Sequence, residues 1–135
     1  MGPVARTRTV ACAVAVFTVA VGVGVRVAMA GEVAKYAGDA LYTVLVYVLV
    51  VLIAPRVRPP VAAGVALLFS AAVELFQLTP IPAELARESV AMRLVLGSTF
   101  NAPDLLWYAV GAALSALVHT AAGRSAARTA GASVE

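Results

Sequence analysis

VAAGVALLFSAAVELFQL, from Val61 to Leu78, is an unbroken apolar run that holds one acid, Glu74, with Gln77 close behind it. At about 1.5 Å per residue, a helix of this length crosses most of the roughly 30 Å hydrocarbon core of a bilayer. A charged side chain in such a helix costs roughly 2.5–3.5 kcal/mol near the bilayer centre, so it persists where it has partners or a task. Glu74 is therefore the first candidate functional residue.

Three further apolar blocks lie around this one. Val10 to Val25 is preceded by Arg6 and Arg8 and followed by Arg26. Ala40 to Ala54 stops at the turn Pro55-Arg56-Val57-Arg58-Pro59-Pro60, and because its apolar part alone is too short to cross, its helix must begin near Val33 to Lys35. Leu105 to about Ala122 opens with Trp107 and Tyr108, as an aromatic belt at the headgroups does. The chain of 135 residues is 62% hydrophobic and 13% charged, far from the balance of a soluble domain. An all-α polytopic membrane protein of one domain, residues 1–122, is predicted, with four spans at about 10–28, 35–54, 61–78 and 104–121. The tail 123–135, built of Ala, Ser, Thr and Arg, offers no apolar block and is expected to be a disordered cytoplasmic tail.

Between the third and fourth blocks, Pro80 and Pro82 end the helix, and the segment 83–95 alternates Leu85, Val90, Leu94 and Val95 with Glu84, Arg87, Glu88 and Arg93. That pattern predicts one short amphipathic helix in the interface. Gly97 to Pro103 reads as a turn, and Asp104 stands where an acid favours a helix start. The first block has a second reading, a secretory signal cleaved after Ala28-Met29-Ala30, but its apolar core is long for a signal and Arg26 intrudes, which favours a retained span.

Four spans put Arg6, Arg8, Arg56, Arg58, Arg124 and Arg128 on one side and Arg26, Lys35, Arg87 and Arg93 on the other. The excess of basic residues assigns both termini to the cytoplasm. Asp39, Glu74 and Asp104 then converge on the outer face, each with a companion one turn away: Tyr42, Gln77 and Tyr108. Arg87 and Arg93 are the available cations, an ion pair between Glu74 and Arg87 is expected, and Ser98, Thr99 and Asn101 supply neutral donors. Gly111 and Ser115 form a small-x-x-x-small pair for helix packing.

Several chemistries find no support. The net charge of +3 comes from arginines scattered between apolar blocks rather than striped with aromatics, which argues against nucleic acid. The single histidine, His119, falls at the opposite end of the fourth span from the acids, so neither a Ser–His pair nor a His-based metal site is indicated, and no glycine-rich cofactor motif appears. Cys12 reads as an apolar filler. Carboxylates, arginines and tyrosines at one face suit a recognition pocket for a polar headgroup. A lipid-modifying enzyme with Glu74 or Asp104 as acid or base, and a packing or assembly subunit, stay open beside it.

Gly38-Asp39-Ala40-Leu41-Tyr42, Glu74-Leu75-Phe76-Gln77-Leu78, Arg87, Leu96-Gly97-Ser98-Thr99-Phe100, Asp104-Leu105-Leu106, Tyr108 and Gly111 together resemble the bacterial membrane proteins grouped as domain of unknown function 2809. The resemblance covers roughly Lys35 to Leu117. In the order of Glu, Gln, Arg, Asp and Gly the chain is also distantly similar to the VanZ-like family, whose founding member is linked to teicoplanin resistance. The likeness implies an envelope-associated membrane protein and maps the family pattern onto Asp39, Tyr42, Glu74, Gln77, Arg87, Asp104 and Tyr108. It gives no activity; with it, the headgroup expected in the pocket is that of an envelope lipid or lipid-linked precursor, and no cofactor is expected. Trp107 and Ser115 stand where the family pattern has small residues.

Overall fold

Proline punctuates the helices. Four of them carry Pro in their first positions, where its missing N–H is no loss and its fixed φ suits the helix. The computed structural model describes residues 1–134 and consists of α1 (Pro3–Ala28), α2 (Glu32–Ile53), α3 (Pro59–Phe76), α4 (Ile81–Glu88), α5 (Val90–Leu96) and α6 (Ala102–Ala132). Four of these, α1, α2, α3 and α6, are long and apolar enough to cross a membrane. The chain is an all-α polytopic membrane protein.

The arrangement is small residues inward, large apolar residues outward. On α3 the buried stripe repeats every fourth residue, Ala62, Ala66, Ser70 and Glu74, while Leu68, Phe69 and Leu75 point away from the bundle. Acyl chains solvate Leu as well as a protein core does, so helices in lipid gain from close approach at small residues rather than from hiding large ones. Phe17, Ile53 and Leu117 are likewise exposed on the other three spans.

α2 lies between α1 and the α3–α6 pair and contacts all three. It runs parallel to α6: Lys35 meets Asp104, Tyr36 stacks on Trp107 with ring centroids 5.3 Å apart, and the Tyr47 hydroxyl lies 2.7 Å from Nδ1 of His119. α3 returns antiparallel, its Ser70 hydroxyl 3.0 Å from that of Thr43, both fully buried. At Gly111 α6 comes close to the α2 backbone, since a Cβ there would overlap the carbonyl of Ala40 and lie 3.2 Å from its Cα. Ser115 bonds back to the Gly111 carbonyl at 2.8 Å, so its hydroxyl is satisfied within α6 and the close approach rests on the glycine. Trp107, a bulky residue in a position expected to be small, is accommodated by its stack on Tyr36.

Three boundaries differ from those predicted. α1 begins at Pro3 instead of near Val10, which brings Arg6 and Arg8 into the helix. Its extra turns let Arg8 donate from Nε to the Leu52 carbonyl at 3.2 Å, satisfying an acceptor that the last turn of α2 cannot pair internally. The interfacial segment is two helices, not one. Ser89 adopts an extended backbone, φ −145° and ψ 129°, and its hydroxyl accepts from the Met92 N–H at 3.4 Å as the N-cap of α5. Finally, α6 continues through 123–132, where disorder was expected. Alanine is the strongest helix former, and Ala121, Ala122, Ala126, Ala127, Ala130 and Ala132 extend a helix that α6 has already nucleated.

Candidate functional site

The candidate site lies at one end of the bundle, where α2 and α6 begin, α3 ends and the α4–α5 segment passes across. Glu74 occupies the last turn of α3 on its inward stripe and is wholly buried. One carboxylate oxygen accepts the Asn101 backbone N–H at 2.6 Å and the other accepts the Tyr108 hydroxyl at 2.8 Å. Those two bonds tie α3 to the turn before α6 and to α6 itself. Both oxygens of this buried acid are thus bonded within the bundle, as a buried polar group requires.

Asp104, in the first turn of α6, is also buried and accepts from Lys35 Nζ and, at 2.6 Å, from the Asn101 side-chain amide. Lys35 lies 3.5 Å from Asp39 as well, one turn along α2, so a single ammonium serves two carboxylates. Asn101 joins the halves of the cluster, backbone to Glu74 and side chain to Asp104. The three acids of α2, α3 and α6 thus gather at one end of the bundle, through a lysine and an asparagine.

The expected Glu74–Arg87 ion pair does not form. Among the described residues the ion pairs of the cluster are those of Lys35. The break at Ser89 leaves Arg87 at the end of α4, facing a shallow cleft it shares with Arg93, Ser98 and Thr99. Arg93 donates through Nε and Nη2 to the Ala86 carbonyl at 3.3 and 3.2 Å, closing the α4–α5 angle by capping α4.

Two companions hold the α5 segment down. The Tyr42 hydroxyl donates to the Val95 carbonyl at 2.9 Å, and the Gln77 amide donates to the Leu96 carbonyl. The other Gln77 amide atom, Oε1, is buried without a partner. Gly97 follows at φ 64°, a left-handed conformation that favours glycine, and a Cβ there would also strike the Gln77 amide nitrogen. Tyr42 and Tyr108 face each other with ring centroids 6.1 Å apart.

A second, larger cleft of about 720 Å³ opens between the end of α1, the start of α2 and the α5 segment. Its polar end is lined by Arg26, Lys35, Asp39 and Arg93, and its walls by Val19, Val23, Leu45 and Val73. Of the three clustered acids Asp39 is the accessible one, its side chain 18% exposed against 6% for Asp104 and a fully buried Glu74. Among the described residues no group of three or more His, Cys, Asp and Glu side chains has the spacing to hold a metal ion.

The family model described as "Protein of unknown function (DUF2809)" matches residues 28–112, more than half of the chain. The chain belongs to that family. The DUF2809 match contains every residue of the polar cluster and of both clefts except the α1 wall of the larger one, and it ends just after Gly111. Neither a curated protein nor a solved structure matches.

Lys35 is the site residue that spacing missed. Read as a loop charge that helps to start α2, it carries no motif of its own, and only its i, i+4 relation to Asp39 signals a role. Replacing it with Met is expected to destabilise the fold by roughly 1–3 kcal/mol, since Asp104 would keep its burial and lose its cation. The value falls below that of a fully buried pair because the Lys35 side chain is 44% exposed. Thermal unfolding in detergent measures it, and an unchanged midpoint would show the pair to be idle.

Proposed function

We propose that this DUF2809 protein binds an amphiphile of the bacterial cell envelope, with the polar head in the larger cleft and the apolar part along its walls. The carrying observation is the composition of that cleft: charged side chains at the end of the bundle, then Val19, Val23, Leu45 and Val73 lower down. Its volume, about 720 Å³, lies within the range of small-molecule sites. In this reading Glu74, Tyr108, Asp104 and Asn101 build the frame, Tyr42 and Gln77 hold the α5 segment over it, and Lys35, Asp39 and Arg93 meet the ligand.

The test uses glycines that border the cleft. A Cβ at Gly22 or Gly38 meets nothing within 4 Å and both glycines line the cleft, so a side chain added at either position starts out in open space beside it. Lipids copurifying with the wild-type protein are expected to fall at least fivefold in Gly38→Phe at an unchanged melting temperature. Equal lipid content in the two proteins would end this proposal.

A second reading, an enzyme acting on such a lipid, is favoured at one point: Asp39 is a partly exposed carboxylate facing the cleft. An acid–base role would then fall to Asp39, the most exposed of the three acids, rather than to Glu74, whose two oxygens are both bonded, or to Asp104, which is 6% exposed. Product formation abolished in Asp39→Asn, with lipid retention intact, identifies it.

The proposal places the cleft at the outer leaflet of the cytoplasmic membrane, with both termini inside. The bond from Arg8 to Leu52 supports that sidedness by bringing Arg8 to the same end of the bundle as Arg56 and Arg58. In a Cys12→Ala background, a membrane-impermeant maleimide is expected to label Ser98→Cys in intact cells and to leave Ser125→Cys unlabelled. The reverse pattern inverts the topology.

A further inference from the structure

We infer that the smaller cleft, between α4, α5 and the Gly97–Asn101 turn, is a phosphate site. It is lined by Arg87, Arg93, Ser98 and Thr99 together with Ala83 and Ala86, and no acid borders it. At the same end of the bundle Lys35 is matched by two carboxylates. Here two guanidinium groups face one cleft, and among the described residues neither forms an ion pair.

Donor chemistry selects the ligand. Arg93 spends Nε and Nη2 on the Ala86 carbonyl, which fixes the plane of its guanidinium and leaves Nη1 to point elsewhere. Arg87 is held by no such bond and can turn its fork toward a second oxygen. Planar forks of this kind match the oxygens of phosphate, and two of them offset its two negative charges. The hydroxyls of Ser98 and Thr99, 3.5 Å apart, add two neutral donors from the turn. A carboxylate ligand would leave most of these donors idle. The cleft volume, about 340 Å³, exceeds that of a bare phosphate and leaves room for the group it esterifies.

Arg93 borders both clefts, so a phosphate held here sits at the polar mouth of the larger one. This inference rests on the reading of the protein as an amphiphile binder and narrows it to a phosphate-bearing one. Phosphate from a lipid head and free phosphate present the same chemistry, and the two sources are separated by experiment.

The probes are nanodiscs of phosphatidylcholine containing one tenth phosphatidic acid, and inorganic phosphate added to protein in neutral detergent. Retained phosphatidic acid is read by native mass spectrometry, and phosphate binding by thermal shift. Wild type is expected to retain phosphatidic acid over phosphatidylcholine, at least tenfold more than the double variant Arg87→Gln/Arg93→Gln. Arg87→Lys, which keeps charge without the fork and leaves the Arg93 bond to Ala86 in place, is expected to fall between them. A phosphate-induced shift that the double variant loses, with no lipid preference, overturns the phosphate-bearing lipid and assigns the site to free phosphate, and the amphiphile reading then stands or falls on the Gly38→Phe comparison. Retention equal in wild type and double variant overturns the phosphate site, and if Gly38→Phe still abolishes that retention, the amphiphile reading stands without it. Arg87→Gln alone, exposed and unbonded, controls for any unfolding caused by the loss of Arg93.

Discussion

Gly111→Leu is expected to prevent assembly of the bundle, with a loss of more than about 3 kcal/mol, and Gly111→Ala to lose about 1–3 kcal/mol. The Cβ alone would overlap the Ala40 carbonyl, which belongs to the α2 backbone and cannot swing aside as a side chain would. α2 must therefore move away from α6. Two turns up α6 from Gly111 lies Asp104, whose bond to Lys35 needs the same close approach, so the ion pair opens with the helices. The Tyr47–His119 contact at the other end of the pair opens as well. Melting temperature in detergent and yield of folded protein measure the effect. A Leu variant with the wild-type midpoint would mean that α2 and α6 are not packed as described.

Glu74→Ala is expected to destabilise the protein by about 2–5 kcal/mol, from two contributions. It leaves the partly buried Asn101 N–H and the buried Tyr108 hydroxyl as donors without acceptors, each worth roughly 1–3 kcal/mol, and it opens a cavity at the end of the stripe. Glu74→Gln is expected to be milder but not silent. An amide has one acceptor oxygen for two donors, so its NH₂ must face either the Asn101 N–H or the Tyr108 hydroxyl. Tyr108→Phe should then recover part of the Gln variant's loss, because it removes the donor that the amide cannot serve. A double-mutant cycle over Glu74 and Tyr108 is the measurement, and simple additivity would refute the bond between them.

Glu74 also illustrates how far one residue's pattern can be read. Its place in an apolar run announced a burial that had to be compensated, and it is compensated. The partner inferred from charge was Arg87, whereas the actual partners are a tyrosine one turn past Asp104 and a backbone amide. Opposite charge is visible in a sequence; which donor lies within 3 Å of an oxygen depends on the path of the chain after Pro80. That path turned on Ser89, whose cap splits the interfacial segment and sends Arg87 outward. Gln77 and Tyr42, marked only as companions of acids, prove to be the bolts of the α5 segment.

The sequence by itself determined the solvent, the number of spans and the end of the bundle at which the acids meet. Each of these follows from run length and from a rise of about 1.5 Å per residue, quantities local to the chain. Tertiary structure alone decided that Gly111 meets α2 at Ala40, that Lys35 rather than an arginine pairs with Asp39 and Asp104, and that Arg87 and Arg93 share a cleft. Those outcomes depend on which helix faces contact one another, and contact between residues seventy positions apart leaves no periodic trace in either segment.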